Sequence, residues 1–152
     1  ESVDGSYSSA YPSKIINGLE NMSMKEAIEA SGGADSTGKH YAIGRYQFTR
    51  LGEQASAVNL KPTDKFSPEN QDKMAIVLLQ YAGLNAFLNG QKSAGSFGNG
   101  ISGIWAIIPR ISGSGAGSGT HDNDGQNKAD PSLGGQLKTI LEQLKSTYDA
   151  RT

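Results

Sequence analysis

The chain has 152 residues, a formal net charge of −1 and no cysteine. This length suits one domain with a single hydrophobic core. The near-neutral charge excludes a global field that would draw the chain to nucleic acid or an anionic membrane. The absence of cysteine excludes disulfides and cysteine metal sites. No apolar run approaches the roughly 18 residues of a membrane span. We therefore expect no nucleic-acid partner and no membrane insertion.

The glycine content and the chain start bear on domain organisation. Glycine contributes 20 residues, concentrated at 83–125. With few strand-like alternations, this composition favours helices joined by long loops. No internal repeat and no second domain are visible, so the sequence predicts one domain over residues 1–152. Because the first residue is Glu1 rather than Met, we expect this domain to be part of a longer or cleaved polypeptide.

Start and stop patterns predict two helices in the first third of the chain. Ser23 and Glu26 have capping-box spacing, in which each side chain satisfies a free backbone N–H of the other residue. We expect the helix that follows to end at 31–33. The segment 41–48 suits either a short strand or an extended turn. Thr49 is the expected N-cap of a second helix, which runs to about Val58.

The clearest predicted helix begins after Ser67, a good N-cap that is followed by proline and glutamate. Its apolar residues cover a wide face, so we expect it to be the central buried helix; they are Met74, Ile76, Val77, Leu78, Leu79 and Tyr81. Gly83 should interrupt it.

The last third is predicted to hold an apolar segment, a loop and a helix. The apolar segment spans 101–108, contains Trp105 and ends at Pro109. Residues 112–126 are rich in Gly, Ser and Asp, which predicts an exposed loop. Ser132 is the expected cap of the last helix, whose apolar residues share one stripe: Leu133, Leu137, Ile140, Leu141, Leu144 and Tyr148.

Gly44-Arg45-Tyr46-Gln47-Phe48 is the most informative stretch of the sequence. Glycine lets a backbone approach a ligand closely. Tyrosine and glutamine offer a stacking face together with amide donors and acceptors, which suits sugar recognition. The structural alternative is an ordinary turn with a core phenylalanine.

Read with its surroundings, this stretch is one of six segments that resemble the phage lambda endolysin family and its relatives among phage tail lysozymes and lytic transglycosylases. The six occur in the family's order over most of residues 1–130. One carries Gly-Arg-Tyr-Gln, one carries Phe-Ser-Pro-Glu-Asn-Gln-Asp, and one carries Trp-Ala before a proline. The segments lie at 1–5, 21–26, 42–48, 66–72, 104–109 and 122–129.

The resemblance implies an α+β, mostly helical, lysozyme-like fold with a small β-hairpin. It also implies cleavage of the bond between N-acetylmuramic acid and N-acetylglucosamine in bacterial peptidoglycan, without a cofactor. Attack by the muramic acid 6-hydroxyl, which gives an anhydro product, and attack by water both stay open. The expected setting is a phage virion tail or the host cytoplasm, with action in the periplasm and cell wall. An upstream segment and other phage tail proteins are the further expected partners.

The resemblance places the general acid at Glu1. Glu20, in the loop before the first predicted helix, is the reserve acid. Glu26 is a weaker candidate for the acid, because its carboxylate is expected to cap the first helix. A general acid needs a pKa raised toward the working pH, whereas a free α-ammonium on Glu1 would lower that pKa. We therefore expect the isolated chain to be weakly active or inactive, and an upstream helix to complete the site.

The predicted glycan-binding residues are Arg45, Tyr46, Gln47, Gln71 and Trp105. Instead of binding the glycan, Gln71 and Asp72 can be solvated residues in the first turn of a helix. Trp105 can instead be a core residue. His40 and His121 lack metal-ligand spacing. The calcium-loop pattern that begins at Asp122 lacks its glutamate, since position 133 is leucine. We therefore expect no metal site.

A different class of function stays open. The chain can instead be a structural tail or baseplate domain that binds peptidoglycan without cutting it. The absence of a helix before Glu1 and the unremarkable charge favour that alternative, and the intact Gly-Arg-Tyr-Gln segment favours the enzyme.

Overall fold

The computed structural model describes residues 6–7, 9–10, 14–32, 42–105, 108–113 and 130–151. The chain is mostly helical, as the sequence predicts. It divides into two compact units, Glu1–Val77 and Leu78–Thr152. Among the described helices, none is both long and apolar enough to cross a membrane.

The first unit begins with two short strands and a 3-10 helix. Strand β1 (Ser9–Ala10) pairs antiparallel with β2 (Lys14–Ile15), with Ser9 opposite Ile15. The 3-10 helix covers Leu19–Asn21. Helices α1 (Met24–Ala30) and α2 (Leu51–Ala57) follow and pack on each other.

Two of the predicted helix starts are confirmed in this unit. The Ser23 side chain accepts a hydrogen bond from the Glu26 N–H at 3.1 Å, and the Glu26 carboxylate accepts one from the Ser23 N–H at 3.1 Å. Hydrogen bonding of the Glu26 carboxylate to Ser23, first to its backbone N–H and then to its side chain, lowers the pKa of Glu26. Ser67 Oγ accepts from the Asn70 N–H at 3.2 Å, so Ser67 caps helix α3 (Pro68–Ala82).

Two other predicted caps are wrong. Helix α2 is preceded by Arg50 rather than by Thr49, and no side chain caps it. Helix α6 (Ser132–Arg151) is capped by Asp130, whose carboxylate accepts from the Ser132 N–H at 3.0 Å and the Ser132 hydroxyl at 2.6 Å. Asp130 is the better acceptor because its carboxylate reaches the N–H two residues ahead, while Ser132 donates its own hydroxyl to it.

The hydrophobic core of the first unit includes Ile43 and Phe48, on either side of the turn at 44–47, together with side chains from other segments. The rings of Phe48 and Phe66 pack edge to face, with centroids 6.2 Å apart. The 62–66 segment is tied to the start of α1, since the Phe66 N–H donates to the Met22 carbonyl at 2.8 Å. The largest buried apolar side chains of this unit are Phe48, Phe66, Leu19, Met24, Ile43 and Met74.

The expectation that α3 is buried on a wide face is wrong in part. Met74 is fully buried, but Ile76 is 50% exposed and Tyr81 is 73% exposed. Successive helical residues are about 100° apart, so Ile76 points away from the face that Met74 buries. The buried face is narrower and partly polar, because it includes Gln71.

The second unit consists of the end of α3 and three further helices. Gly83 separates α3 from α4 (Leu84–Leu88) with a φ of 106°, which confirms the predicted break. Helix α5 (Ala94–Ile104) begins earlier than the predicted apolar segment. Helix α6 packs against α4 and α5. The rings of Phe87 and Phe97 lie 5.0 Å apart in the core that these helices share.

The predicted stripe on α6 is only partly buried. Leu141 is 3% exposed, whereas Ile140 is 58% and Leu144 is 40% exposed. The buried contact of α6 is therefore centred on Leu141 and does not extend over the full stripe. Of the predicted loop at 112–126, all but residues 112 and 113 lie outside the described part of the chain.

Candidate functional site

The Gly-Arg-Tyr-Gln segment forms a tight turn at 44–47. Ile43 and Phe48 pair across its base, with N···O distances of 3.1 and 2.9 Å, and both side chains are buried. The Gln47 N–H closes the turn on the Gly44 carbonyl at 3.1 Å. Of the two structures that the sequence allows for this stretch, the turn is therefore the one observed.

Gly44 is required by the geometry of this turn. Its φ of +80° lies in the left-handed region that favours glycine. A Cβ atom at this position would come within 2.5 Å of Gln71 Oε1 and 2.8 Å of Phe66 Cζ. Glycine therefore lets the backbone turn and lets a buried amide approach it closely.

Gln71 connects three separate stretches of backbone. Its side-chain Oε1 accepts a hydrogen bond from the Arg45 N–H at 3.0 Å. Its Nε2 donates to the carbonyls of Tyr7 at 3.1 Å and Phe66 at 3.0 Å. The residue is fully buried, so neither a solvated first turn nor an open cleft describes its position. A buried amide is stable only when it is hydrogen-bonded, and this one is bonded through both of its polar atoms.

Asp72, the next residue, accepts two phenol hydrogen bonds. Tyr7 donates to Oδ1 of Asp72 at 2.9 Å, and Tyr46 donates to the same oxygen at 2.8 Å. The two tyrosine rings meet edge to face with centroids 6.4 Å apart. The exposed guanidinium of Arg45 lies 5.0 Å from the centroid of the Tyr7 ring, within cation–π distance. We call Tyr7, Arg45, Tyr46, Gln71 and Asp72 the turn cluster.

The cluster holds Tyr46 in its neutral form. Burial raises the pKa of the Tyr46 phenol, and the hydrogen bond to Asp72 raises it further. Tyr46 therefore keeps its proton, and its hydrogen bond to Asp72, at pH values where an ordinary tyrosine ionises.

The raised pKa of Tyr46 predicts a loss of stability at high pH. A folded-state pKa above the unfolded value means that the stabilisation is present below about pH 10, the ordinary tyrosine value, and is lost as pH rises above it. We expect the free energy of unfolding to fall above pH 10 and to fall less steeply in Tyr46→Phe. Urea unfolding at pH 8 to 11 measures this, and equal slopes in both proteins would rule it out.

Three other predicted site residues, Gln47, Glu20 and Trp105, are not members of the turn cluster. Gln47 has a φ of 52°, and its Nε2 donates to the Gly44 carbonyl at 2.8 Å. Its side chain therefore helps to close the turn. Glu20 is half-exposed in the 3-10 helix. Trp105 is half-buried in the second unit and packs against the core of that unit, which agrees with the core position given as its alternative.

Several residues named from the sequence lie outside the described part of the chain. They include the proposed acid Glu1 and both histidines, together with the acidic residues of the 122–129 segment. Within the described ranges, no group of three or more His, Cys, Asp or Glu side chains can hold a metal ion.

Sequence reasoning missed Tyr7. It is one aromatic residue in a polar opening segment, and nothing in its local pattern marks it. Its partner Asp72 lies 65 residues away, so only the folded chain brings the two together.

The turn cluster combines aromatic surface, one exposed guanidinium and one carboxylate. These groups suit a ligand with both apolar faces and many hydroxyl or amide groups, such as a sugar chain. No family model, no curated protein and no solved structure matches this chain.

Proposed function

We propose that this chain cleaves the bond between N-acetylmuramic acid and N-acetylglucosamine in bacterial peptidoglycan, as a muramidase or lytic transglycosylase of phage origin. The observation that carries the proposal is a contact between two segments of the family resemblance. The Gly44 turn and the start of α3 are separate in sequence, yet Gln71 bonds the Arg45 backbone and Asp72 bonds Tyr46. Two segments that resemble the same enzyme family therefore contribute residues to the turn cluster.

The proposed role of Glu1 follows from the family resemblance, and the roles of the turn residues follow also from their placement. Glu1 protonates the leaving oxygen, with Glu20 as the reserve acid. Arg45 and Tyr46 contact the glycan strand, because Arg45 is exposed and Tyr46 is half-buried beside it. Gln47 and Gln71 shape the binding turn. That Trp105 binds the glycan, by stacking on a sugar ring, stays a prediction.

The proposal includes a lysozyme-like fold. The mostly helical chain is consistent with it, and the antiparallel β1 and β2 strands are the natural candidates for its small hairpin. The setting that fits this activity is phage infection or lysis, with the protein in a virion tail or the host cytoplasm and the cell wall as its substrate. Phage tail proteins and an upstream segment are its proposed protein partners.

A sedimentation assay on purified, dye-labelled sacculi separates this proposal from the binding-domain alternative. We expect the full-length polypeptide to release soluble dye over time, and Tyr46→Ala to release it at least about tenfold more slowly, because a lost sugar contact weakens binding. Ser146→Ala, on the exposed face of α6 in the second unit, is the control and should match the wild type. Co-sedimentation with intact sacculi and no dye release would favour the structural alternative.

A further inference from the structure

Asn17 and Gly18 are the two central residues of an exposed turn in the first unit. The Leu19 N–H donates to the Ile16 carbonyl at 3.1 Å and closes this turn. Both central residues are exposed, and Gly18 has a φ of +77°. Neither the Asn17 side-chain amide nor the Gly18 N–H has a hydrogen-bond partner in the part of the chain that the structure describes. The side-chain amide and the following backbone nitrogen are therefore both accessible.

We propose that Asn17 is a site of spontaneous deamidation, in which the backbone nitrogen of Gly18 attacks the side-chain carbonyl of Asn17. A bond forms between that nitrogen and Cγ of Asn17, and the bond from Cγ to the side-chain nitrogen breaks. A base in the solvent takes the Gly18 amide proton, and the side-chain nitrogen gains a proton from water and leaves as ammonia. Water then opens the cyclic succinimide at either of its carbonyls, which yields aspartate or isoaspartate.

The surroundings of Gly18 favour this attack. Glycine has no side chain to shield its nitrogen. A Cβ atom at this position would meet nothing within 4 Å, so the space around the nitrogen is open. Because the Gly18 N–H donates no bond to the described chain, its proton can be lost without breaking a contact of the fold. The reaction at Asn17 therefore requires no local unfolding.

The sequence contains two further Asn-Gly pairs, and both lie in the second unit. At the first of them, the Gly90 N–H donates to the Phe87 carbonyl at 3.1 Å. The Asn89 side-chain oxygen accepts a hydrogen bond from the Tyr148 hydroxyl at 3.3 Å. Both reacting groups are thus engaged, although the pair is exposed. Attack at Asn89 requires these bonds to break first.

The second pair, Asn99 and Gly100, is held more firmly inside helix α5. The Asn99 side-chain oxygen accepts from the N–H groups of Ile111 and Ser112, and its nitrogen donates to the Ser112 carbonyl and hydroxyl. A Cβ atom at Gly100 would lie 2.8 Å from the Ala82 carbonyl oxygen, so this backbone is closely packed. The fold therefore protects Asn99 and leaves Asn17 open.

Deamidation at Asn17 changes both the charge and the stability of the protein. Either product adds one negative charge to a chain whose formal net charge is −1, so ion exchange separates the products from the starting protein. Isoaspartate also adds a methylene to the main chain within the turn that leads to the fully buried Leu19. We therefore expect the isoaspartate form to have a lower thermal midpoint than the aspartate form.

Peptide mass spectrometry after incubation of the full-length polypeptide in mildly alkaline buffer tests the proposal. Conversion at each of the three Asn-Gly pairs is measured in the folded protein and in the urea-unfolded chain, and the ratio of the two rates is compared. We expect this ratio to be at least about tenfold higher for Asn17 than for Asn89 or Asn99, because the latter two react only when the structure opens locally. Equal ratios at the three pairs, or a lower ratio at Asn17, would overturn the proposal.

Gly18→Ala tests the identity of the attacking group. The added methyl group crowds the backbone nitrogen but contacts nothing else within 4 Å, so the variant should fold and convert Asn17 more slowly. Asn89 and Asn99 in the same variant are the controls and should convert at their wild-type rates. Unchanged conversion of Asn17 in the variant, or aspartate without isoaspartate in the wild type, would reject attack by the Gly18 nitrogen.

Discussion

Replacement of Glu1 by glutamine is expected to reduce glycan cleavage by roughly a hundred- to ten-thousand-fold, the contribution of a positioned general acid. Glutamine has nearly the same size and keeps hydrogen-bonding capacity, but it has no carboxyl proton to give to the leaving oxygen. Muropeptide release per unit time, measured on the full-length polypeptide with Glu1→Gln, checks this. The thermal midpoint should stay close to that of the wild type, because the substitution replaces the carboxyl group by an amide of nearly the same size.

Glu20→Gln is the matched control for this experiment. Glu20 is half-exposed in the 3-10 helix, so its substitution should leave both activity and stability nearly unchanged. Full activity in Glu1→Gln together with loss of activity in Glu20→Gln would move the role of general acid to Glu20.

Gly44→Ala is expected to reduce both stability and activity. A non-glycine residue in the left-handed region costs about 1 to 2 kcal/mol. The new Cβ would also approach Gln71 Oε1 to 2.5 Å and Phe66 Cζ to 2.8 Å, so the buried amide must move away from its partners. An unsatisfied buried group costs about 1 to 3 kcal/mol, so we expect a total loss of about 2 to 5 kcal/mol in the free energy of unfolding.

Gly18→Ala separates the two causes of this loss. Gly18 belongs to the same unit and has a φ of +77°, but a Cβ there would meet nothing within 4 Å. It should therefore show only the backbone penalty of about 1 to 2 kcal/mol and keep its activity. Urea unfolding measures both variants. Equal losses in the two would show that the contact between Gly44 and Gln71 contributes nothing.

Local features of the helices could be predicted well where only neighbouring residues decide them. The Ser23 capping box, the Ser67 cap and the break at Gly83 each depend on groups within three or four residues, and all three are confirmed. The cap of α6 was predicted wrongly, because Asp130 and Ser132 are both good acceptors and the pattern alone does not rank them.

Burial was harder to predict because it depends on what packs against each helix. Ile76 and Tyr81 extend the apolar face of α3 in the sequence, yet both are exposed. Ile140 and Leu144 extend the stripe of α6 in the same way and are also exposed. Periodicity shows which residues share a face, but it does not show how much of that face another element covers.

The turn cluster could be predicted in part. The Gly-Arg-Tyr-Gln stretch was identified, and Gln71 was included among the site residues. The role of Gln71 was not foreseen, because its three partners come from three different stretches of the chain. Tyr7 and its link to Asp72 are tertiary contacts across 65 residues, for which a single sequence carries no local signal.

Mass spectrometry of the products released from purified peptidoglycan identifies the bond that the protein cuts. We expect disaccharide–peptide fragments that end in N-acetylmuramic acid, either as a reducing sugar or as its 1,6-anhydro form. These fragments should disappear with Glu1→Gln. Intact glycan strands after prolonged digestion by the full-length polypeptide, or strands cut only in their peptides, would contradict the proposed cleavage.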